Sequence, residues 1–263
     1  MIQLSSKRLP GARVRGWSGF WGLALTMLWP LPILAQTMVP SGGGDGTGTL
    51  VVPAGGQLEI RGGLRSQDGK NLFHSFQQFG LSQGQIANFL ATPELSNILT
   101  RVVGGDASVI DGLLRVTGGQ ANLYLLNPAG IVFGTQARLD VPAAFTATTA
   151  GGLGFSQGGW LNAIGPNNYA ALVGTPDRLA FATTQPGAIA NFGNLSLRSG
   201  QTLSLLGGTV LNIGTLSAPG GQIILAAVPG QTLVRLSQPD HLLSLEFQPL
   251  PASVSAVALP FTP

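Results

Sequence analysis

No cysteine occurs in the 263 residues, so neither a disulfide framework nor a thiolate metal site is available, and stability must come from packing and backbone hydrogen bonds. Histidine is almost as scarce. His74 and His241 stand 167 positions apart, whereas metal sites draw several His, Cys or carboxylate ligands together; no metal and no cofactor is expected. Helical periodicity is missing as well, and 39 glycines at this density would penalise every helix. Disorder is excluded from the other side: charged residues make up only 9% of the chain, and Leu, Val and Ala supply ample apolar surface to bury.

Basic residues are concentrated at the start. Lys7, Arg8, Arg13 and Arg15 precede an uncharged run from Gly16 to Ala35, which holds three of the four tryptophans. A basic region, an apolar region and the small residue Ala35 make residues 1–35 a signal peptide, cleaved near Ala35 and Gln36 and delivered to the general secretion machinery. A membrane anchor of about 20 residues is the competing reading; Pro30, Pro32 and the lack of positive charge just after Ala35 weigh against it. Removal of residues 1–35 leaves nine Lys and Arg against ten Asp and Glu, a formal net charge of −1. Lys70 is then the single lysine and the arginines stand one at a time. A polyanion-binding footprint is absent, so nucleic acid is not an expected partner. The remaining ~228 residues suffice for one sizeable core, in one or two domains.

What fills those residues is a series of short apolar runs bounded by turn residues, the pattern of strands. After a Gly/Thr/Ser-rich leader or first cap (36–49), strand candidates occur at 50–52, 57–60 and 72–79. The last of these carries a bulge or corner, with its phenylalanines facing inward. A more polar excursion follows from Ser82 to Asn97, and residues 93–99 form one helical turn or a short edge strand. Further candidates are 100–103, 107–110, 113–116, 123–126, 131–133, 137–141, 144–150 and 178–181, with a glycine-rich loop or hairpin between Gly151 and Gly165. Between Leu126 and Ile131 lies a tight corner, Asn127-Pro128-Ala129-Gly130, where Pro128 fixes φ and Gly130 can take a positive φ.

A repeat is visible late in the chain. Gly193-Asn194-Leu195-Ser196 aligns with Gly214-Thr215-Leu216-Ser217, and Gln201 with Gln222, at an offset of 21 residues. A period of this length marks a solenoid, whose units cannot bury a core alone. Roughly three short strands per unit give an all-β fold, a parallel β-helix with about 20–21 residues per coil and extra-helical loops or hairpins; a leucine-rich-repeat-like solenoid is second. Residues 231–263 give a last coil or cap and a Pro-rich tail.

Four spaced motifs now carry a resemblance: Asn71-Leu72-Phe73-His74-Ser75-Phe76; Asn97-Ile98-Leu99-Thr100-Arg101-Val102-Val103-Gly104-Gly105; Ile110-Asp111-Gly112-Leu113; and Asn122 to Gly134 around the corner. Together they resemble the N-terminal secretion domain of filamentous-haemagglutinin-type exoproteins, the passengers of two-partner secretion in Gram-negative or cyanobacterial-type cells. The resemblance covers about residues 37–230. It implies a right-handed parallel β-helix over residues 36–230 that is not an enzyme. It also implies recognition by the polypeptide-transport-associated (POTRA) domains of an outer-membrane β-barrel transporter, and folding outside the cell, coil by coil. Localisation would be secreted or at the cell surface, reached through the periplasm. Asn127, Pro128, Gly130 and Ile131 are the candidate recognition corner; Asn97, Arg101, Gly104, Gly105, Asp111 and Gly112 are the secondary motif positions. Two departures stand out. The family has Asn where this chain has Ala129, and a second Asn-Pro-Asn-Leu motif, present in part of the family, is not found.

Other patterns have weaker claims. Gly154-Phe155-Ser156-Gln157-Gly158 matches a nucleophile elbow, with Asp177 or Asp240 and His241 in a compatible order, but an elbow needs a strand before the serine and a helix after it. Asp106, Asp111 and Asp140 raise the question of a carbohydrate-active β-helix, yet each lies beside Gly or at a strand end, where turn formation explains an aspartate. A secretion domain therefore leads. A small secreted adhesin or structural β-helix, with a host or neighbour-cell surface as partner, comes second, and a polysaccharide-acting enzyme third.

Overall fold

The computed structural model describes residues 37–236 and 245–251; the expected signal peptide, its cleavage point at Ala35 and Gln36, His241 and most of the Pro-rich tail lie outside the described residues. Among the described residues there is no α-helix, only strands and two short 3₁₀ turns, Gly43–Asp45 and Tyr169–Ala171.

Four strands form the N-terminal end: β1 (Met38–Pro40), β2 (Leu50–Ala54), β3 (Gln57–Arg61) and β4 (Leu64–Arg65). The first coil follows with β5 (Asn71–Phe79) and β6 (Ile86–Leu90), and the second with β7 (Asn97–Val102), β8 (Ser108–Ile110) and β9 (Leu113–Thr117). The third is β10 (Asn122–Leu126), β11 (Ile131–Phe133) and β12 (Arg138–Asp140). The fourth begins with β13 (Phe145–Thr148) and is interrupted by β14 (Gly152–Phe155), β15 (Trp160–Asn162) and β16 (Pro176–Phe181), then resumes with β17 (Ala188–Asn191) and β18 (Asn194–Ser196). The fifth is β19 (Thr202–Gly207), β20 (Thr209–Asn212) and β21 (Thr215–Ser217). β22 (Gln222–Ala227) opens a sixth turn, after which β23 (Thr232–Leu236) and β24 (Leu245–Pro249) leave the stack.

Strands of successive coils pair in parallel and in register, giving a β-solenoid of about six turns with three faces. The first face runs β5-β7-β10-β13-β19-β22, the second β8-β11-β17-β20 and the third β3-β6-β9-β12-β18-β21. The N-terminal end is closed by antiparallel strands: β1 and β4 on β5, and β2 on β3. A fourth sheet, β15-β14-β16-β23-β24, is wholly antiparallel.

Two cores result, one on each side of the first face. Alternate residues of each strand point opposite ways. In β5, Leu72 and Phe76 enter the core inside the coils while Phe73 enters the outer one; in β7, Ile98 and Val102 go in and Leu99 out; in β10, Leu123 and Leu125 go in and Leu126 out. The outer core is completed from the fourth sheet by Leu153, Phe155, Leu161, Leu179, Phe181 and Val234. Each fully buried Leu or Phe contributes about 1.5–3 kcal/mol.

Some strands differ from the sequence reading. The phenylalanines of residues 72–79 are all buried but do not share a side; a register shift opposite Val39 and Pro40, at the exposed Gln77 and Gln78, turns Phe79 back toward the inner core. Residues 97–102 are a fully buried central strand rather than an edge or helical turn, because both flanks are paired, with β5 and β10. The polar excursion contains β6, whose Ala87, Asn88 and Phe89 are all buried. Residues 131–133 are covered on one side only, with Val132 half-buried. The 21-residue spacing is that of the late coils, as between Asn191 and Asn212; equivalent asparagines of earlier coils lie 26 (Asn71 to Asn97) and 25 (Asn97 to Asn122) residues apart. Asn194, Leu195 and Ser196 pair with Thr215, Leu216 and Ser217 as aligned. The following strand slips by one, so that Thr202, not Gln201, faces Gln222.

His74 sits in the inner core beneath the N-terminal cap, its ring 5.9 Å from that of Phe89 and its Nδ1 3.3 Å from Thr49 Oγ1. Burial pushes its pKa down from the ordinary 6.5 to about 3. The unfolded chain therefore takes up this proton near pH 6.5 while the fold refuses it until about pH 3, so stability is complete above pH 6.5 and declines as the pH falls. The loss should reach about 2 kcal/mol at pH 5. Denaturant unfolding at pH 7.5 and pH 5 should show that difference in the wild type and should show it abolished in His74→Gln.

Candidate functional site

The corner at 127–130 joins the first face to the second. Its hydrogen bonds centre on Asn127, which is buried. The Asn127 carbonyl accepts from Gly130 N–H at 3.1 Å, closing the turn. Its side-chain Oδ1 accepts from Ala129 N–H at 3.0 Å, an Asx turn. Nδ2 donates to Asp106 O and to Ser108 Oγ, both at 3.0 Å, tying the corner to the coil before it. Gly130 has φ +126°, which residues with a Cβ rarely adopt. Pro128 is half-buried, Ile131 lies in the inner core, and Ala129 alone of the five is exposed. The self-bonding that a turn asparagine provides thus comes from position 127, and the departure at Ala129 leaves it intact.

The secondary motif positions occupy three other places. Asn97 is the middle rung of an asparagine ladder at the start of the first-face strands. Asn122 Nδ2 donates to Asn97 Oδ1 at 2.9 Å, and Asn97 Nδ2 to Asn71 Oδ1 at 2.7 Å. Asn71 Nδ2 ends the ladder on Leu172 O (2.9 Å) and Gly174 O (3.0 Å) of the insertion between β15 and β16. Residue 97 is expected from the sequence as a site position; residues 71 and 122 open two of the other motifs but are not singled out, although Asn-Leu-Phe, Asn-Ile-Leu and Asn-Leu-Tyr mark all three rungs with the same pattern of asparagine before two apolar residues.

Arg101 points from β7 to the outer side of the first face and is 3% exposed. Its Nε donates to Ser75 Oγ at 3.0 Å, and its Nη1 to Asn162 O and Gly165 O at 3.1 and 2.6 Å. The guanidinium lies 5.6 Å from the Tyr169 ring centre and 4.0 Å from Asp45 Oδ2. Burial lowers its pKa; Tyr169 and Asp45 oppose that shift. Gly104 and Gly112 pass so close to the preceding coil that a Cβ would overlap the carbonyl oxygens of Gln77 and Gln85 respectively. Gly105 takes a positive φ beside Gly104, and Asp111 Oδ1 accepts from Gln136 N–H at 2.8 Å. The structure therefore brings Asn97 and Arg101 together along one strand and leaves the others at separate corners.

The groups suspected of chemistry are also apart. Asp106 bonds Gln78, Asp111 bonds a backbone amide at another corner, and Asp140 pairs with Arg115 (2.9 Å) and Arg198 (3.6 Å) on the third face. Ser156 lies in a hairpin turn, followed by β15 instead of a helix, and its Oγ accepts from Thr175 N–H. Among the described residues no three His, Cys, Asp or Glu side chains are grouped to hold a metal ion.

Three comparisons bear on this arrangement. The family model of the TPS (two-partner secretion) secretion domain matches residues 36–252. Among solved structures, the HMW1 secretion domain from Haemophilus influenzae is similar with a TM-score of 0.54 and 22% sequence identity, over 84% of this chain. The chain spans 50% of the length of that solved chain, and at this identity the likeness is one of fold. No curated protein matches.

Truncating Asn127 to alanine removes three hydrogen bonds and leaves Ser108 Oγ buried without that partner, at a cost of about 2–3 kcal/mol. Ala129→Asn, at the exposed position, should stay within about 0.5 kcal/mol of the wild type. Equilibrium urea unfolding of the two variants checks both values.

Proposed function

Because the chain belongs to the two-partner secretion domain family, matched over residues 36–252, we propose that it is the part of a secreted exoprotein that POTRA domains of an outer-membrane transporter recognise in the periplasm. The observation that carries this reading is the extent of the match, which takes in all of the described solenoid. Its role is recognition and folding, without catalysis. The signal peptide over residues 1–35 and the secretion domain from residue 36 onward are its two working parts, and the inner membrane is crossed first.

Burial argues for which form of the chain is recognised. Asn127 and Ile131 are 1% and 0% exposed in the folded domain, so a partner reaches their side chains only before the coil closes. The recognised species is accordingly the chain before folding, when an extended segment such as 122–134 still has unpaired backbone groups and can add to the edge of a POTRA sheet. Folding outside the cell then opposes return, since extraction would have to expose both cores again.

A purified POTRA fragment should retain the mature chain when mixed with it during dilution from urea, and should ignore the chain once folded. In cells carrying the transporter, Asn127→Ala with Pro128→Ala should lower secretion several-fold. Asn191→Ala, which disturbs a buried asparagine elsewhere, should be secreted near the wild-type level. Secretion of the double variant at the wild-type rate would remove the corner from recognition. Retention of the folded domain alone would reverse the order argued above, and retention of neither, with binding to cells or glycans, would favour an adhesin.

A further inference from the structure

A plain solenoid holds each coil by its neighbours alone. Here the first two coils are also held from far along the chain. Asn71 donates to the carbonyls of Leu172 and Gly174, more than a hundred positions away. Gly174 N–H returns a bond to Asp68 at 3.0 Å, and Gln67 N–H donates to Ala170 O at 2.9 Å. Arg101 has two of its bonds on Asn162 and Gly165. Phe73 packs against Tyr169 (5.2 Å) and Phe155 (6.1 Å). Without residues 155–174, Arg101 would exchange two carbonyl partners for water, and the outer side of β5 and β7 would expose the apolar side chains of Phe73 and Leu99. Apolar area of that size left in water removes the burial that stabilises the first coils.

We infer that the insertion between β13 and β17 is a latch, and that the N-terminal coils and the insertion fold together as one cooperative unit instead of coil by coil. The latch rests on the secretion reading only for its consequence: both segments must be on the same side of the outer membrane before the first coil is secure. The chain thus crosses as an unfolded polymer until residues 71–101 and residues 155–174 have both crossed, whichever leads. The stable unit formed then is much larger than one coil, and correspondingly harder to pull back.

The molecule carries its own probe. Trp160, in β15 of the insertion, is the only tryptophan after residue 35, so its fluorescence reports the insertion while far-ultraviolet circular dichroism reports the solenoid strands. In urea unfolding of the wild-type mature chain the two signals should change with coincident midpoints and slopes. Loss of the Trp160 signal at lower urea, with the strands retained, would overturn the latch. A second measurement uses native-state hydrogen exchange on Leu161→Ala. Amide protection in β5 and β7 should fall by the same factor as in β14 and β16, about a hundredfold for a buried Leu→Ala. Unchanged protection in β5 and β7 would equally refute it. Neither measurement involves a transporter, so the latch can fail while POTRA recognition stands, and the reverse.

Discussion

A parallel sheet covered on both sides has no water with which to solvate polar side chains, and in this domain the first face is such a sheet. Its inner side lines the coils; its outer side is covered by the antiparallel sheet that grows from the insertion. A polar group buried on that outer side is therefore costly unless it finds a protein partner. Asn71, Asn97, Asn122, Ser75 and Arg101 do so, in a ladder and a fork that end on backbone carbonyls of the insertion. Much of the described architecture follows from this requirement, including the closeness of segments a hundred residues apart.

The same constraint gives two oddities of the sequence a physical role. An arginine in an apolar strand, or an asparagine opening each of three strands, would simply face water on an ordinary solenoid face, where one side meets solvent and polar residues alternate outward. Against a second sheet they become the specific contacts that set register between two layers. Arg101 is suited to this because its planar fork of donors reaches a hydroxyl and two carbonyls at once.

On the proposed reading the domain has to satisfy two opposed demands: to remain extended while it is carried, and to be stable once it is outside. Cysteine-free composition leaves both to packing and hydrogen bonds. Spreading the stabilising contacts over long sequence distances serves both, since few of them can form until most of the chain is present, and loop closure over such distances is slow. The corner proposed for recognition obeys the same logic in miniature. Its side chains are available in the extended chain and are consumed by the fold, Asn127 bonding forward to Ala129 and back to the preceding coil.

Much of this was legible in the sequence. Short apolar runs between glycines identified strands, the 21-residue offset identified stacking, and the corner was read at the residues where it occurs, because turn chemistry is local and depends on Asn, Pro and Gly in fixed order. The sequence alone could not assign the two sides of the first face. Phe73 and Phe76 look alike in a string of letters, and only the presence of a second sheet decides that one belongs to each core. Nor could it show that residues 97–102 are central or that 86–90 form a strand, since burial there depends on neighbours contributed by other coils. Spacing, propensity and turns are properties of a few adjacent residues, and the sequence determined them. Which face is covered, and what meets Arg101 and Asn71, are properties of segments a hundred residues apart, and only the tertiary structure decided them.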